Sequence, residues 1–313
     1  MPPALTALSE RLDTDAPLAF ARAVCTAAEP YELGLAISIG RRNGHDGALL
    51  SYNPRVRSSG ARQRMLAELA RHGFDPAPAR LAFELVPDAR ASTVLGIEWR
   101  APVPGRPPVP PSATLYLEEV SRFFSPREAA RRMRAFARLA GVELAGEVGR
   151  PGPLYIWAID LTATGVTAFK VYRLAEGTQS GGVRAATQAH TDGPLAPSVD
   201  QLLFAGSPAS SFIVQKRYAP CQPAPLKVYK CHPYQQPGVD LTAARHEVWQ
   251  AVQHHGSTLA HPAFAELPPT SLGLRFAPGR PTSPASSTPA SRANARMRRA
   301  ASRGEKKRET SSR

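Results

Sequence analysis

The chain has 313 residues, a formal net charge of +14 and three cysteines (Cys25, Cys221, Cys231). That length allows one large domain or two ordinary ones with a sizeable core. The cysteines form no Cys-x-x-Cys and no Cys/His spacing of a zinc site; the adjacent Cys231-His232, with Cys221 ten residues before it, leaves a disulfide or metal open, with chance proximity the preferred reading. No apolar run reaches the ~18 residues of a membrane span, and Met1 to Asp13 lacks the basic stretch and apolar core of a signal peptide. The expectation is a reduced, cytoplasmic protein with no membrane insertion.

In chain order, residues 5–28 read as helix: Leu5, Leu8 and Leu12, then Phe20, Ala23 and Val24, fall near a 3.6 period. Residues 33–39 and 48–52 flank a Gly/Asn/Asp turn and read as a first hairpin. Ala61 to His72 is amphipathic and closed by Gly73, and 79–86 adds a short helical turn. A second hairpin joins Thr93–Trp99 to Ala113–Val120 through a Pro-rich loop. Pro126 to Ala140 is a strong helix, with proline in its first turn and Gly141 at its end. The third hairpin is Leu154–Leu161 with Val166–Leu174. After a short helix at 199–204, the fourth is Phe212–Tyr218 with Leu226–Cys231. Thr242 to His254 is helical, and Ser271 to Ala277 opens a fifth hairpin whose second strand is not evident.

The second strands share a pattern. Thr114-Leu115-Tyr116, Lys170-Val171-Tyr172 and Lys227-Val228-Tyr229 recur at offsets of 56 and 57 residues. Residues i and i+2 of a strand share a face, so each copy presents a polar group beside a phenol. A repeat at fixed period governs the fold. One hairpin cannot bury its face alone. Five helix-linked hairpins predict an α+β fold: a ten-stranded antiparallel barrel of repeated ααββ units, helices outside, the last hairpin incomplete. The domain spans 1–279. Residues 280–313, rich in Ser, Pro and Arg, hold ten Lys/Arg against two Glu, so +8 of the charge lies there and +6 on the domain. That composition predicts a disordered tail.

In such a barrel Phe169 and Val171 suit the helix side, and Lys170 and Tyr172 point inward. Buried cations need compensation, and an anionic ligand such as a diphosphate supplies it. Phenol faces stabilise a neighbouring cation. Together they suit ionisation of an allylic diphosphate and attack by an electron-rich acceptor. The diphosphate ligands expected on this basis are Lys170, Lys216, Lys227 and Arg275. The cation shield is Tyr116, Tyr172, Tyr218 and Tyr229. Of the consecutive Lys216, Arg217 and Tyr218, the pair Lys216/Tyr218 is expected inward. Glu98 and Asp160 hold corresponding places on first strands and are the candidate catalytic carboxylates, to take a ring proton or orient the acceptor. Exposed strand lysines, cross-strand packing of tyrosines and solvent-facing carboxylates remain alternatives at each position.

The helix–strand–strand–helix plan with Lys-x-Tyr on its second strands resembles the ABBA-type aromatic prenyltransferases, which include dimethylallyltryptophan synthase-like and cyanobactin-type enzymes. The resemblance covers about residues 30–277. It implies inward Lys and Arg on the diphosphate, tyrosines around the allylic cation, and prenyl transfer to an aromatic small molecule or a peptide side chain. It implies no tightly bound cofactor, with Mg²⁺ beside the diphosphate left open; the chain has no Asp-Asp-x-x-Asp cluster. Thr114 stands where a base is expected, and Ala168 where some relatives carry arginine. Two rival readings stay open: a ligand-binding barrel without catalysis, and a nucleic-acid-binding protein acting through the basic tail, since the domain itself carries no such signature.

Overall fold

The computed structural model describes residues 3–25, 31–40, 45–54, 59–86, 93–102, 105, 107–118, 124–144, 154–205, 209–220, 225–232, 240–254, 269–276 and 290–295. Its centre is an antiparallel sheet of seven strands: β3 (Thr93–Arg100), β4 (Ser112–Glu118), β5 (Leu154–Thr162), β6 (Gly165–Glu176), β7 (Ser211–Tyr218), β8 (Leu226–Cys231) and β9 (Pro269–Phe276). Each pairs with its sequence neighbour. Further strands, β1 (Tyr31–Gly40) and β2 (His45–Pro54), continue the ladder from β3, and β10 (Ala290–Ala295) pairs with β9 and β1. Most of the expected tail lies outside the described residues.

Among the described residues, helices cover one face of the curled sheet. Leu115, Trp157, Phe169 and Val171 belong to one buried cluster with Met133 and Phe136 of α5 (Pro126–Arg138). Phe136 sets its ring edge-on to Phe169, centroids 5.8 Å apart. Ser125 caps that helix by accepting from the Glu128 amide. A second cluster joins Val183 of α6 (Ser180–Thr191) to Phe212, Leu226, Val228, Leu274 and Phe276. On the concave face a third, smaller cluster holds Val94, Tyr116, Ile156, Ala158, Tyr172 and Tyr229.

The expected helix at 5–28 is two helices, α1 (Pro3–Leu12) and α2 (Ala16–Cys25). Asp13 takes a left-handed conformation between them, φ 52°, and Thr14 accepts a hydrogen bond from the Ala16 amide to start the second. α3 (Ser59–Arg71) and α4 (Ala77–Leu85) match the two expected after the first hairpin. α6 has no counterpart in the sequence reading, because Gly181-Gly182 in its first turn hides its periodicity.

Candidate active site

The Lys-x-Tyr pattern sets the geometry of the concave face. In β6, Phe169 and Val171 pack outward on α5 while Lys170 and Tyr172 take the other side. Directly opposed residues of an antiparallel pair share a face. Lys170 opposes Ala158 on β5 and Arg217 on β7; Tyr172 opposes Ile156 and Gln215. Gln215 opposes Lys227 on β8, and Lys227 opposes Arg275 on β9. A band of cations, Lys170, Arg217, Lys227 and Arg275, therefore crosses four strands of one face. Lys170, Arg217 and Lys227 are partly buried and Arg275 is exposed.

The tyrosines form a second band. β4, β6 and β8 run parallel to one another, since each neighbours an antiparallel strand on both sides. Tyr116, Tyr172 and Tyr229 each lie two residues further along than Thr114, Lys170 and Lys227, so all three are displaced toward the same rim. The Tyr116 and Tyr172 centroids are 5.9 Å apart, those of Tyr172 and Tyr229 6.4 Å. The Lys227 ammonium stands over the Tyr229 ring at 4.8 Å, and the Tyr229 hydroxyl donates to Gln215 Oε1 at 3.0 Å.

Asp160 joins the cation band to its floor. Its Oδ1 takes the Lys170 ammonium as an ion pair and a hydrogen bond from Thr114 Oγ1 at 2.8 Å. Its Oδ2 accepts from Arg217 Nε at 3.1 Å. Burial alone would push this carboxyl up; Lys170 foremost, then Arg217 and Thr114, hold it below the ordinary carboxylate range. Burial would likewise lower Lys170, but Asp160, helped by the neighbouring Tyr116 and Tyr229, raises it above the ordinary amine value. Glu98 lies on the same face, opposite Ser112, with Oε1 3.7 Å from Arg100 Nε.

Lys216 and Tyr218 are a correction to the sequence reading. Lys216 opposes Val171 and Tyr218 opposes Phe169, so both project to the helix side. Tyr218 stacks on Phe169, centroids 6.3 Å apart. The inward residues of β7 include Arg217 and Gln215, which the sequence reading passed over, and Ile213 opposite Tyr229. The run Lys216-Arg217-Tyr218 offers a base on either face, so the repeat could not decide; the register with Lys170 does. Lys170, Lys227, Arg275, Tyr116, Tyr172, Tyr229, Glu98 and Asp160 all come to the concave face.

The fold, though not the sequence, has known counterparts. No family model matches the sequence, and no curated protein matches it. Among solved structures, the chain shares the fold of aromatic prenyltransferases. 5-Dimethylallyltryptophan synthase from Streptomyces coelicolor is 15% identical with a TM-score of 0.66, over 93% of this chain and 95% of that one. 6-Dimethylallyltryptophan synthase from Micromonospora olivasterospora, solved with DMASPP and Trp, is 16% identical with a TM-score of 0.61, over 92% and 94%. The prenyltransferase PriB, solved with L-tryptophan and dimethylallyl thiolodiphosphate, is 15% identical with a TM-score of 0.60, over 93% of each chain. The α+β fold and its curled antiparallel sheet with outer helices are thus those read from the Lys-x-Tyr repeat.

Proposed function

We propose that this protein is an aromatic prenyltransferase that moves a dimethylallyl-type group from its diphosphate to an aromatic acceptor, a small molecule or a peptide side chain. The observation that carries the reading is the paired banding of the concave face: Lys170, Arg217, Lys227 and Arg275 beside Tyr116, Tyr172 and Tyr229. The cations hold the diphosphate through charge-assisted hydrogen bonds. The C–O bond of the donor breaks and its electron pair leaves with the diphosphate. The phenol faces stabilise the allylic cation by about 0.5–2 kcal/mol each. A π pair of the acceptor forms the new C–C bond, and the displaced ring proton passes to a base.

Glu98 is our choice for that base, or for orienting the acceptor. Asp160, already engaged by three donors, serves as a positioning residue that fixes Lys170 and Arg217. Mg²⁺ would accompany the diphosphate rather than sit in a protein cage. Tryptophan, the ligand of the PriB and Micromonospora complexes, is the first acceptor to try.

The working form, on this reading, is a closed ten-stranded barrel of five ααββ units in the cytoplasm. The registers of β1 with β2 and β10, and of β10 with β9, support closure, and closure leaves no open edge. Among the described residues no helix is long and apolar enough to cross a membrane.

Calorimetric titration with a non-hydrolysable dimethylallyl diphosphate analogue, with and without Mg²⁺, tests the proposal. Saturable micromolar binding followed by a prenylated product supports it. Folded protein that binds no analogue overturns it in favour of a barrel with another ligand.

A further inference from the structure

Gly273 sits on β9 directly opposite Tyr229. A Cβ built there would lie 2.7 and 2.9 Å from two carbons of the Tyr229 ring and 3.1 Å from Lys227 Cε. The first two separations are too short for any side chain, so the ring or the strand would have to move. Gly273 is a paired strand residue and is not among the glycines with positive φ. The position therefore needs glycine for room, not for backbone conformation, although a strand glycine weakens the sheet. The ring is held from its far end by the buried Gln215, and the Lys227 ammonium rests over it.

We propose that Gly273 is a positioning residue of the donor site: it gives the Tyr229 ring and the Lys227 stem a shared seat against β9, which fixes the offset between a diphosphate ligand and a cation shield. The inference rests on the prenyl-transfer reading. A methyl at 273 shifts both side chains at once, so it weakens diphosphate binding although residue 273 itself offers no group to the ligand.

The test compares full-length wild type, Gly273→Ala, Tyr229→Ala and the double variant by calorimetry with inorganic diphosphate and by turnover. Gly273→Ala is expected to bind about tenfold more weakly. Adding Tyr229→Ala should return the affinity to that of Tyr229→Ala alone, because the ring no longer displaces Lys227, while kcat stays at the Tyr229→Ala level. A general structural defect would add to the second substitution instead of cancelling. If Gly273→Ala does not fold, the double variant still decides, since its seat is relieved. Wild-type affinity in Gly273→Ala, or a double variant that binds more weakly than Tyr229→Ala alone, overturns the inference. Wild type that binds no diphosphate overturns the prenyl-transfer reading and this one together, and that failure is recognisable because it appears before any substitution.

Discussion

Thr114 donates its hydroxyl hydrogen to Asp160 at 2.8 Å across the β4–β5 ladder, and in doing so completes the seat of Lys170. Lys170 Nζ lies 3.4 Å from the same Thr114 oxygen. Thr114 occupies the first place of the polar-x-Tyr pattern, where the other copies carry lysine. Instead of adding a charge it aims one.

Removing the Asp160 charge should leave Lys170 and Arg217 facing each other with no counter-ion. Breaking a buried ion pair from one side typically costs about 3–5 kcal/mol. Asp160→Asn is therefore expected to lower unfolding stability by about 3 kcal/mol, read by urea denaturation. Added diphosphate should restore more stability in the variant than in the wild type.

The same group sets a pH dependence. The folded-state pKa of Asp160 lies below its unfolded value. Its contribution is therefore present above the ordinary carboxylate pKa and is lost as pH falls toward the depressed folded value. The stability gap between wild type and Asp160→Asn should be full near neutrality and close progressively in acid. A gap independent of acid pH would contradict the ion pair.

The β7 register makes a paired prediction. Arg217→Ala should weaken diphosphate binding by about tenfold or more, the loss of a charge-assisted hydrogen bond. Lys216→Ala, one residue away but on the helix side, should leave the affinity unchanged. Calorimetry on the two variants reverses the assignment if Lys216 is the sensitive one.

Within the tyrosine band, Tyr172→Phe keeps the π face and Tyr172→Leu removes it. The leucine variant should lose about 2- to 30-fold in kcat, the worth of one cation–π contact, with the donor affinity retained. The phenylalanine variant should remain near wild type. Steady-state kinetics against donor concentration separates the two.

Lys230 and Glu247 test the outer face. Lys230 is 1% exposed and donates to Glu247 Oε1 at 3.0 Å and to the Leu202 carbonyl at 3.1 Å. Glu247→Ala, which strands a buried cation, is expected to destabilise by about 3 kcal/mol. The double variant Lys230→Met/Glu247→Leu should be close to wild type, and its donor affinity unchanged. Thermal and chemical denaturation measure the asymmetry.

The repeat made much of this architecture legible. Lys170-Val171-Tyr172 and Lys227-Val228-Tyr229 sit in clean alternation with apolar neighbours, so the face of each residue followed from parity. The β7 run Phe212 to Tyr218 has no such alternation: of Ile213, Val214, Gln215, Lys216 and Arg217, each face receives one apolar and one basic residue. Only the hydrogen-bonded partner on β6 decides between them, and pairing partners are not written locally. Asp160 was visible as a carboxylate near a strand end, but its engagement by Thr114 and Arg217 joins residues 46 and 57 positions apart in sequence. Nothing local marks Gly273, because the side chains that a Cβ there would meet belong to another strand.

The common chain direction of β4, β6 and β8 gives the interior a compass. In every copy the polar residue comes first and the phenol two places later, so N-to-C along these strands always means from polar group toward aromatic. On the prenyl-transfer reading, an amphiphile with an anionic head and an unsaturated tail has one way up in such a vessel. On that reading its orientation follows from the direction in which the polypeptide runs, with the tail toward the rim to which those strands point.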